Sequence, residues 1–327
     1  MLPKFSYVRA TSVGDGVRAL SAPGARLHAG GTDLLGCLRE GVFKADKVVS
    51  LAGLSALRGI SAPPTGGLRL GAMTTLAEVV SNRQVLAQYP VLAQAAASVG
   101  SPQLRNQGTL GGNLCQRPRC WYFRGDFQCL RKGGDTCYAV GGENQHHAIF
   151  GGRGCYMVHP SDTAVALVAL GARVRITGPG GARTVPLSAF FVLPDKDVLK
   201  ETVLAHNEVV TDILLPPVEA GTKSGYRKVR SRGSWDFALA SAAMVVTTNT
   251  AGVVTRARIV LGAAAPSPWR AEGAEKAIVG SALTADVAAR AAEAAVKGAE
   301  TLSQNGYKVA LFCGVVEEQL LAMAQSK

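Results

Sequence analysis

The sequence predicts an α+β protein built from two parts, and three observations lead to this fold class. Short β-rich runs alternate with helical patterns in the N-terminal third of the chain. Apolar periodicity is then absent for about 40 residues, from about residue 113 to residue 154. From about residue 224, two long strand patterns are followed by alanine-rich helices. We therefore expect one domain over residues 1–220 and a smaller α+β domain over residues 221–327.

The first elements follow in order from their periodicity. RLHA predicts a strand, TDLLGCLREG predicts a helix, and KVVSL and LRLGAM predict two more strands. A strand that is followed directly by a helix requires a tight turn between them, so the residues of that turn are candidates for a binding loop.

The helices that come next are rich in alanine and leucine. TLAEVVSNRQVLAQYPVLAQAAASV predicts one or two helices broken near Pro90, because proline ends or kinks a helix. After the aperiodic segment, TAVALVALGARVRITG predicts a helix and then a strand. VVTDILLPP predicts a strand that its two prolines end.

The second domain has a simpler pattern. FALASAAMVVTTN and VVTRARIVLGAAA predict a pair of long strands, and helices are expected from residue 271 to the end. We find no internal repeat and no low-complexity segment in the sequence.

Composition and charge limit the classes of partner. The chain has 327 residues, of which 47% are hydrophobic and 18% charged, as in ordinary globular proteins. Its net charge of +12 is spread without a basic run or interleaved aromatics, which favours an anionic cofactor or acidic protein partner over nucleic acid. No secretory signal and no apolar run long enough to span a bilayer are found. We expect neither nucleic acid nor membrane as a partner.

A pair of glycines gives the first chemical signal. The segment from His28 to Leu35 contains Gly30 and Gly31 at a strand-to-helix junction, where Thr32 or Asp33 can cap the helix. Bare backbone N–H groups and the positive end of a helix suit a diphosphate. The alternative is a plain junction with a capping aspartate. The nicotinamide fingerprint GxGxxG is absent from the sequence.

Two further stretches strengthen this signal. Residues 106–114 read NQGTLGGNL and form a loop dense in glycine and amide side chains. Residues 159–163 read HPSDT and put an aspartate at the start of an apolar helix. Its ordinary role would be a helix cap, which is compatible with a ligand contact.

Together, AGGTDLL, RNQGTLGGNL and HPSDTAVALVALGA resemble the FAD-binding subunits of the molybdenum hydroxylases, the superfamily of xanthine dehydrogenase, carbon monoxide dehydrogenase and aldehyde oxidoreductase. The resemblance extends over essentially the whole chain and includes YRKVRSRGSWDFALASAA. It implies a two-lobed FAD-binding domain of the vanillyl-alcohol-oxidase type, followed by a smaller domain like the C-terminal domain of the CO dehydrogenase flavoprotein.

The resemblance also implies where FAD is held. Two loops would hold its diphosphate, the helix start would bind its ribityl or ribose hydroxyls, and a lysine would stabilise the anionic reduced ring. For that lysine, Lys228, a solvated surface residue is the alternative. The expected residues of the first loop are Ala29, Gly30, Gly31, Thr32 and Asp33; those of the second are Thr109, Gly111, Gly112 and Asn113; those of the helix start are Ser161 and Asp162.

The aperiodic segment contains most of the cysteines. Cys115, Cys120, Cys129 and Cys137 lie within it, and Cys155 follows just after it. Successive members of these five cysteines are separated by four, eight, seven and seventeen residues. These gaps match no short ferredoxin run and no CxxC zinc knuckle, so spacing alone indicates only a metal site or disulfides. We interpret the other cysteines, Cys37 and Cys313, as small buried hydrophobes, and His146 and His147 as structural or surface residues.

A cysteine-rich insertion at this point resembles the family branch of the periplasmic aldehyde oxidoreductase and 4-hydroxybenzoyl-CoA reductase, in which it carries a [4Fe–4S] cluster. By that resemblance the insertion covers about residues 115–156, and the expected ligands are Cys120, Cys129, Cys137 and Cys155. Cys115 is then the spare. An alternative set keeps Cys115 and omits Cys155 or Cys120.

The expected function is electron transfer within a complex. A large partner subunit with a molybdenum cofactor would oxidise the substrate, and a small partner with [2Fe–2S] clusters would deliver electrons to FAD. The [4Fe–4S] cluster would exchange electrons with an external acceptor, such as a ferredoxin-like carrier. The alternatives are a free-standing flavoprotein oxidoreductase with its own substrate and a non-catalytic iron–sulfur scaffold. We expect a cytoplasmic complex, or a periplasmic one if a partner carries a twin-arginine signal.

Overall fold

The computed structural model describes residues 1–325. Its first lobe is a parallel three-stranded sheet in the order β1-β3-β2, with two helices beside it. The expected strands RLHA and KVVSL are neighbours in this sheet. The elements are β1 (Ser6–Arg9), α1 (Val13–Leu20), β2 (Ala25–His28), α2 (Leu34–Arg39) and β3 (Lys47–Ser50).

A five-stranded antiparallel sheet forms the second lobe, in the order β4-β5-β8-β6-β7. Two segments far apart in sequence supply its strands, with helices and the cysteine-rich segment between them. The strands are β4 (Ile60–Ser61), β5 (Leu68–Gly71), β6 (Arg173–Gly178), β7 (Gly181–Pro186) and β8 (Val209–Leu215). The helices are α3 (Leu76–Ser81), α4 (Arg83–Gln88), α5 (Pro90–Ala97), α6 (Pro102–Gln107), α7 (Leu110–Leu114), α8 (Trp121–Arg124) and α9 (Asp162–Ala169).

The long helical run breaks twice, at Asn82 as well as at Pro90. Asn82 leaves the helical conformation, and its side chain accepts hydrogen bonds from the N–H groups of Gln84 and Val85, both at 3.0 Å. This side chain caps α4, so the backbone groups freed by the break keep a partner. The expected break at Pro90 is confirmed, and the one at Asn82 is additional.

Helix α9 joins the two halves of the molecule. All eight of its residues are buried, as expected for a helix that is apolar on every side. It packs against α5 on one side and against the C-terminal sheet on the other. The approach is close at Gly262, where an added Cβ would lie 2.6 Å from Cγ2 of Val165.

The second half is a four-stranded antiparallel sheet covered by helices. The expected pair of long strands is confirmed, since β10 and β11 lie side by side in the order β12-β11-β10-β9. The strands are β9 (Thr222–Val229), β10 (Ala240–Thr248), β11 (Val254–Gly262) and β12 (Trp269–Arg270). The helices are α10 (Glu272–Ile278), α11 (Ala285–Ala295) and α12 (Tyr307–Gln325); the last two residues of the expected helical region lie outside the described residues.

The cysteine-rich segment has little regular structure of its own, and buried polar side chains hold it in place. Asn144 is fully buried; its Nδ2 donates to the carbonyl of Ala139 at 2.9 Å, and its Oδ1 accepts from the N–H of Gln304 at 2.9 Å. Nζ of the buried Lys308 donates to the carbonyl oxygens of His147 at 3.1 Å and Ala263 at 2.6 Å. These contacts attach the segment to the C-terminal half.

None of the helices described in residues 1–325 is long and apolar enough to cross a membrane.

Lys308 predicts a pH dependence of stability. Burial lowers its pKa to about 7, so the unfolded chain binds more protons than the folded chain between that value and the ordinary lysine pKa of about 10.4. Stability of the wild-type protein should therefore rise with pH across this window. In Lys308→Met this contribution should be absent. Urea midpoints of both proteins at several pH values in this window measure the difference, and an equal pH slope in both would contradict the assignment.

Candidate functional site

A cavity of about 690 Å³ lies between the two lobes and β9 and contains most of the residues expected to bind FAD. We call it the flavin cavity. The C-terminal end of β2, the start of α2 and the start of α7 all open onto it. The expected site residues in its wall are Ala29, Gly30, Gly31, Thr32, Asp33, Thr109, Gly111, Gly112, Asn113, Asp162 and Lys228.

The two glycine loops touch each other in this wall, although residues 110–114 of the second form the short helix α7 and not the expected loop. A Cβ added at Gly30 would lie 2.0 Å from the carbonyl oxygen of Gln107, so only glycine allows this approach. Gly31 has φ +74, in the left-handed region that favours glycine. Gly111 is also crowded, because its Cβ would meet Cβ of Ala72 at 2.8 Å. Part of the glycine requirement therefore comes from packing between the loops.

The two loops differ in the donors that they leave free. Within the described chain, the backbone N–H groups of residues 30–33 donate to no acceptor, which leaves them available to an anion. In the second loop, the N–H of Gly111 donates to the carbonyl of Ala72 at 2.8 Å, and the N–H of Gly112 donates to Oγ1 of Thr109 at 3.2 Å. Thr109 and Asn113 of this segment also line the flavin cavity.

Asp33 has a different role from the expected helix cap. It occupies the N-cap position of α2, but its side chain makes no capping hydrogen bond. Instead its carboxylate accepts from the N–H of Arg117 at 2.7 Å and from Nη2 of Arg124 at 2.7 Å, and it pairs with Nη2 of Arg119 at 2.8 Å. The capping expectation was wrong because three arginines of the cysteine-rich segment attract this carboxylate, which no local pattern reveals. Asp33 therefore joins the flavin cavity to that segment.

Asp162 and Lys228 form a buried ion pair in the same wall. Nζ of Lys228 lies 2.8 Å from Oδ2 of Asp162, and the two side chains are 4% and 6% exposed. The hydroxyl of Tyr226 donates to Oδ1 of the aspartate at 2.5 Å. Burial raises the pKa of Asp162, and the neighbouring Lys228 and the hydroxyl of Tyr226 oppose that rise. The interpretation of Lys228 as a solvated surface lysine was therefore wrong.

Ser161 is the one expected FAD-binding residue outside the flavin cavity. Its hydroxyl caps α9 by accepting from the N–H of Ala164 at 3.0 Å, and it donates to Oδ1 of Asn113 at 2.6 Å. The side chain thus orients Asn113, which does line the flavin cavity. A direct contact between Ser161 and the ribityl or ribose hydroxyls stays a prediction.

A second cavity of about 360 Å³ lies beside the first. It shares Asp162 and Phe237 with the flavin cavity, and it also touches Cys120 and His147 of the cysteine-rich segment. Trp121, Met157 and Leu239 make much of its wall apolar. We call it the connecting cavity, since its wall reaches both of the other sites.

Four cysteines meet at a third, small cavity. All seven cysteines are free, and Cys120, Cys129, Cys137 and Cys155 line this cysteine cavity together. Cys115 lines the flavin cavity instead, and burial raises its pKa to about 12. Burial likewise raises the pKa of Cys120 to about 12. Among the described residues, no group of three or more histidine, cysteine, aspartate or glutamate side chains forms a site for a single metal ion; the four thiols share a cavity and not the ligand sphere of one ion.

Two neighbours of these thiols were not identified from the sequence. Nε of Arg131 donates to Sγ of Cys155 at 3.4 Å, and Nε2 of His147 lies 3.3 Å from Sγ of Cys120. Both side chains are buried, at 3% and 4% exposure. Their positions depend on the path of an irregular segment, so no periodic pattern in the sequence predicts these contacts. Cys37 is buried as expected, whereas Cys313 is only half-buried, with its Sγ 3.6 Å from the carbonyl of Ala292.

Comparison with known families decides the class of this protein. Residues 3–218 match the family of FAD binding domains in molybdopterin dehydrogenase, and residues 224–321 match the CO dehydrogenase flavoprotein C-terminal domain. The chain is an FAD-binding oxidoreductase subunit of the molybdenum hydroxylase family. The expected fold class is confirmed for this flavoprotein subunit, with an FAD-binding domain followed by the C-terminal α+β domain.

Several relatives of the flavoprotein subunit are known. The aldehyde oxidoreductase FAD-binding subunit PaoB of Escherichia coli (strain K12) is 38% identical over 83% of this chain and 85% of its own length. The carbon monoxide dehydrogenase medium chain of Hydrogenophaga pseudoflava is 30% identical over 98% of this chain and 97% of its own. The structure of carbon monoxide dehydrogenase from that organism, without the Mo-pyranopterin moiety, superimposes with a TM-score of 0.78 at 29% identity, covering 99% of this chain and 98% of the other.

The contact between the two glycine loops yields a test of FAD binding. In Gly30→Ala the new Cβ must push the loops apart, and overpacking of this kind costs about 1–3 kcal/mol. The free protein can relax by separating the loops, whereas FAD held by both loops needs them in contact, so we expect FAD binding weaker by about 5- to 150-fold. Gly36→Ala is the matched control, because its Cβ would have only Nη1 of Arg124 near it, at 4.0 Å. Flavin fluorescence titration of the two apoproteins measures the effect, and equal FAD affinity in both would contradict the account.

Proposed function

We propose that this flavoprotein subunit transfers electrons inside a complex with two partner subunits. A large subunit with a molybdenum cofactor would oxidise the substrate, and a small subunit with [2Fe–2S] clusters would pass the electrons to this chain. An external acceptor, such as a ferredoxin-like carrier, would then receive them. Support comes from relatives whose names describe an aldehyde oxidoreductase FAD-binding subunit and a carbon monoxide dehydrogenase medium chain.

The flavin cavity offers a consistent set of contacts for FAD. The free N–H groups of residues 30–33 and the side chains of Thr109 and Asn113 would bind the diphosphate. Lys228 would keep a positive charge near the ring, held in place by Asp162. Bound FAD exchanges one or two electrons, which suits a subunit between one-electron clusters and a carrier.

We further propose that Cys120, Cys129, Cys137 and Cys155 ligate a [4Fe–4S] cluster and that Cys115 is not a ligand. Four free thiols around one cavity are the donor set that such a cluster requires. A cationic donor next to the thiols would stabilise their thiolate form. Nε of Arg131 is such a donor, since it donates to Sγ of Cys155. A cluster would also order a segment that has no apolar core of its own.

The observation that carries this function is that the connecting cavity shares wall residues with each of the other two cavities. Cys120, His147 and Met157 line both the cysteine cavity and the connecting cavity, while Asp162 and Phe237 line both the connecting cavity and the flavin cavity. The two cofactors would therefore lie at sites that one intervening cavity joins. That arrangement suits transfer of electrons between them.

A free-standing flavoprotein oxidoreductase is the second candidate. The size of the connecting cavity, about 360 Å³, and its apolar wall would suit a small organic substrate. This candidate gives no role to four thiols that line a separate cavity. It predicts that an organic substrate reduces the FAD of the isolated chain, whereas the electron-transfer function predicts that partner subunits are required.

Cysteine variants test the cluster and its ligands. Cys129→Ser should lose most of the bound iron and sulfide, because a cluster with a missing thiolate ligand assembles poorly. Cys115→Ser is the matched control, since this thiol lies in the wall of the flavin cavity, and it should keep its iron. Iron and sulfide analysis and low-temperature EPR of the reduced protein measure both. Loss of the cluster in Cys115→Ser with retention in Cys155→Ser would show that the ligand set is wrong.

A further inference from the structure

A buried arginine connects the cysteine cavity to the flavin cavity. Arg131 follows Cys129 in a short 3₁₀ turn over Leu130–Lys132 and is only 3% exposed. Its Nε donates to Sγ of Cys155 at 3.4 Å. Its Nη1 donates to Oε1 of Glu201 and to the carbonyl of Lys200, both at 3.1 Å. Burying a guanidinium costs free energy unless its N–H groups are hydrogen-bonded. The buried position of Arg131 is therefore compensated by these acceptors.

One donor of this guanidinium has no acceptor. Nη2 of Arg131 is buried, and no hydrogen-bond partner for it exists in the described chain. Buried donors are nearly always paired in folded proteins, so an unpaired one indicates a missing acceptor. A cluster held by the four thiols would bring sulfur acceptors into this neighbourhood, since Arg131 itself lines the cysteine cavity.

Glu201 keeps the guanidinium in place from the other side. Its Oε2 lies 2.9 Å from Nε of Arg117, while its Oε1 accepts from Arg131. Glu201 is also part of the wall of the flavin cavity. The carboxylate is thus fixed between two arginines, and the planar guanidinium of Arg131 bonds Glu201 through Nη1 and Cys155 through Nε at the same time.

We propose that Arg131 is a positioning residue that, through its hydrogen bond to Sγ of Cys155, raises the reduction potential of the [4Fe–4S] cluster. This inference rests on the proposed cluster. A cluster at these thiols would take one electron from reduced FAD, with no bond made or broken, and its added negative charge would spread over the sulfur ligands. A cationic donor at one thiolate stabilises the reduced form more than the oxidised form, and hydrogen bonds to sulfur are known determinants of such potentials.

Variants of Arg131 in the purified full-length chain test this. Arg131→Met removes the charge and the donors at similar length, and Arg131→Gln keeps one polar donor without the charge. Arg153→Met is the matched control, because Arg153 lies exposed in the same segment. The measurements are iron content per chain and the midpoint potential of the cluster from an EPR-monitored redox titration.

We expect iron content near the wild-type value in all three variants. The midpoint potential should be more negative in Arg131→Met, should shift less in the same direction in Arg131→Gln, and should not shift in Arg153→Met. An unchanged potential in an Arg131→Met protein with full iron content would overturn the inference. Loss of the cluster from both Arg131 variants would also overturn it, because the residue would then be needed for assembly and not for tuning. A wild-type protein without iron would instead refute the proposed cluster.

Discussion

The carboxylate of Asp33 is the contact on which the arrangement of the two sites depends. It stands at the end of the first glycine loop and binds a backbone N–H and two guanidinium groups of the cysteine-rich segment. That segment has almost no helix or strand to fix it, so ionic contacts set its position. Each buried group left without its partner would cost about 1–3 kcal/mol. Loss of this carboxylate would therefore loosen the flavin loop and the cysteine segment together.

The opposite end of the segment is fixed by hydrogen bonds to the C-terminal half. Asn144 accepts from the N–H of Gln304, Lys308 donates to the carbonyls of His147 and Ala263, and both side chains are fully buried. The C-terminal domain thus does more than close the flavin cavity: it supports the loop that carries the thiols. Glu201 adds a third anchor, through Arg117 and Arg131. With three anchors, an irregular loop can hold four thiols around one cavity.

Sequence patterns predicted the elements far better than the contacts between them. The strand–turn–helix at Gly30 and the paired strands of the second domain follow from local periodicity, and both are observed. The break at Asn82 was not predicted, because a capping asparagine is a weaker signal than proline. Asp33, Lys228 and Arg131 owe their roles to partners far away in sequence. The residues of the glycine patterns therefore meet at one cavity, as predicted, while the ionic contacts around it required the folded structure.

The proposed function requires this subunit to hold FAD and a [4Fe–4S] cluster at neighbouring sites, and the number of electrons accepted per FAD distinguishes this from a subunit that holds FAD alone. FAD takes up about two electrons and a [4Fe–4S] cluster about one. An anaerobic reductive titration of the purified subunit, followed by absorbance and calibrated by its FAD content, gives the total. The account predicts about three electrons per FAD, with bleaching of an iron–sulfur absorbance beneath the flavin bands. Full reduction by about two electrons, with only flavin bands changing, would contradict it.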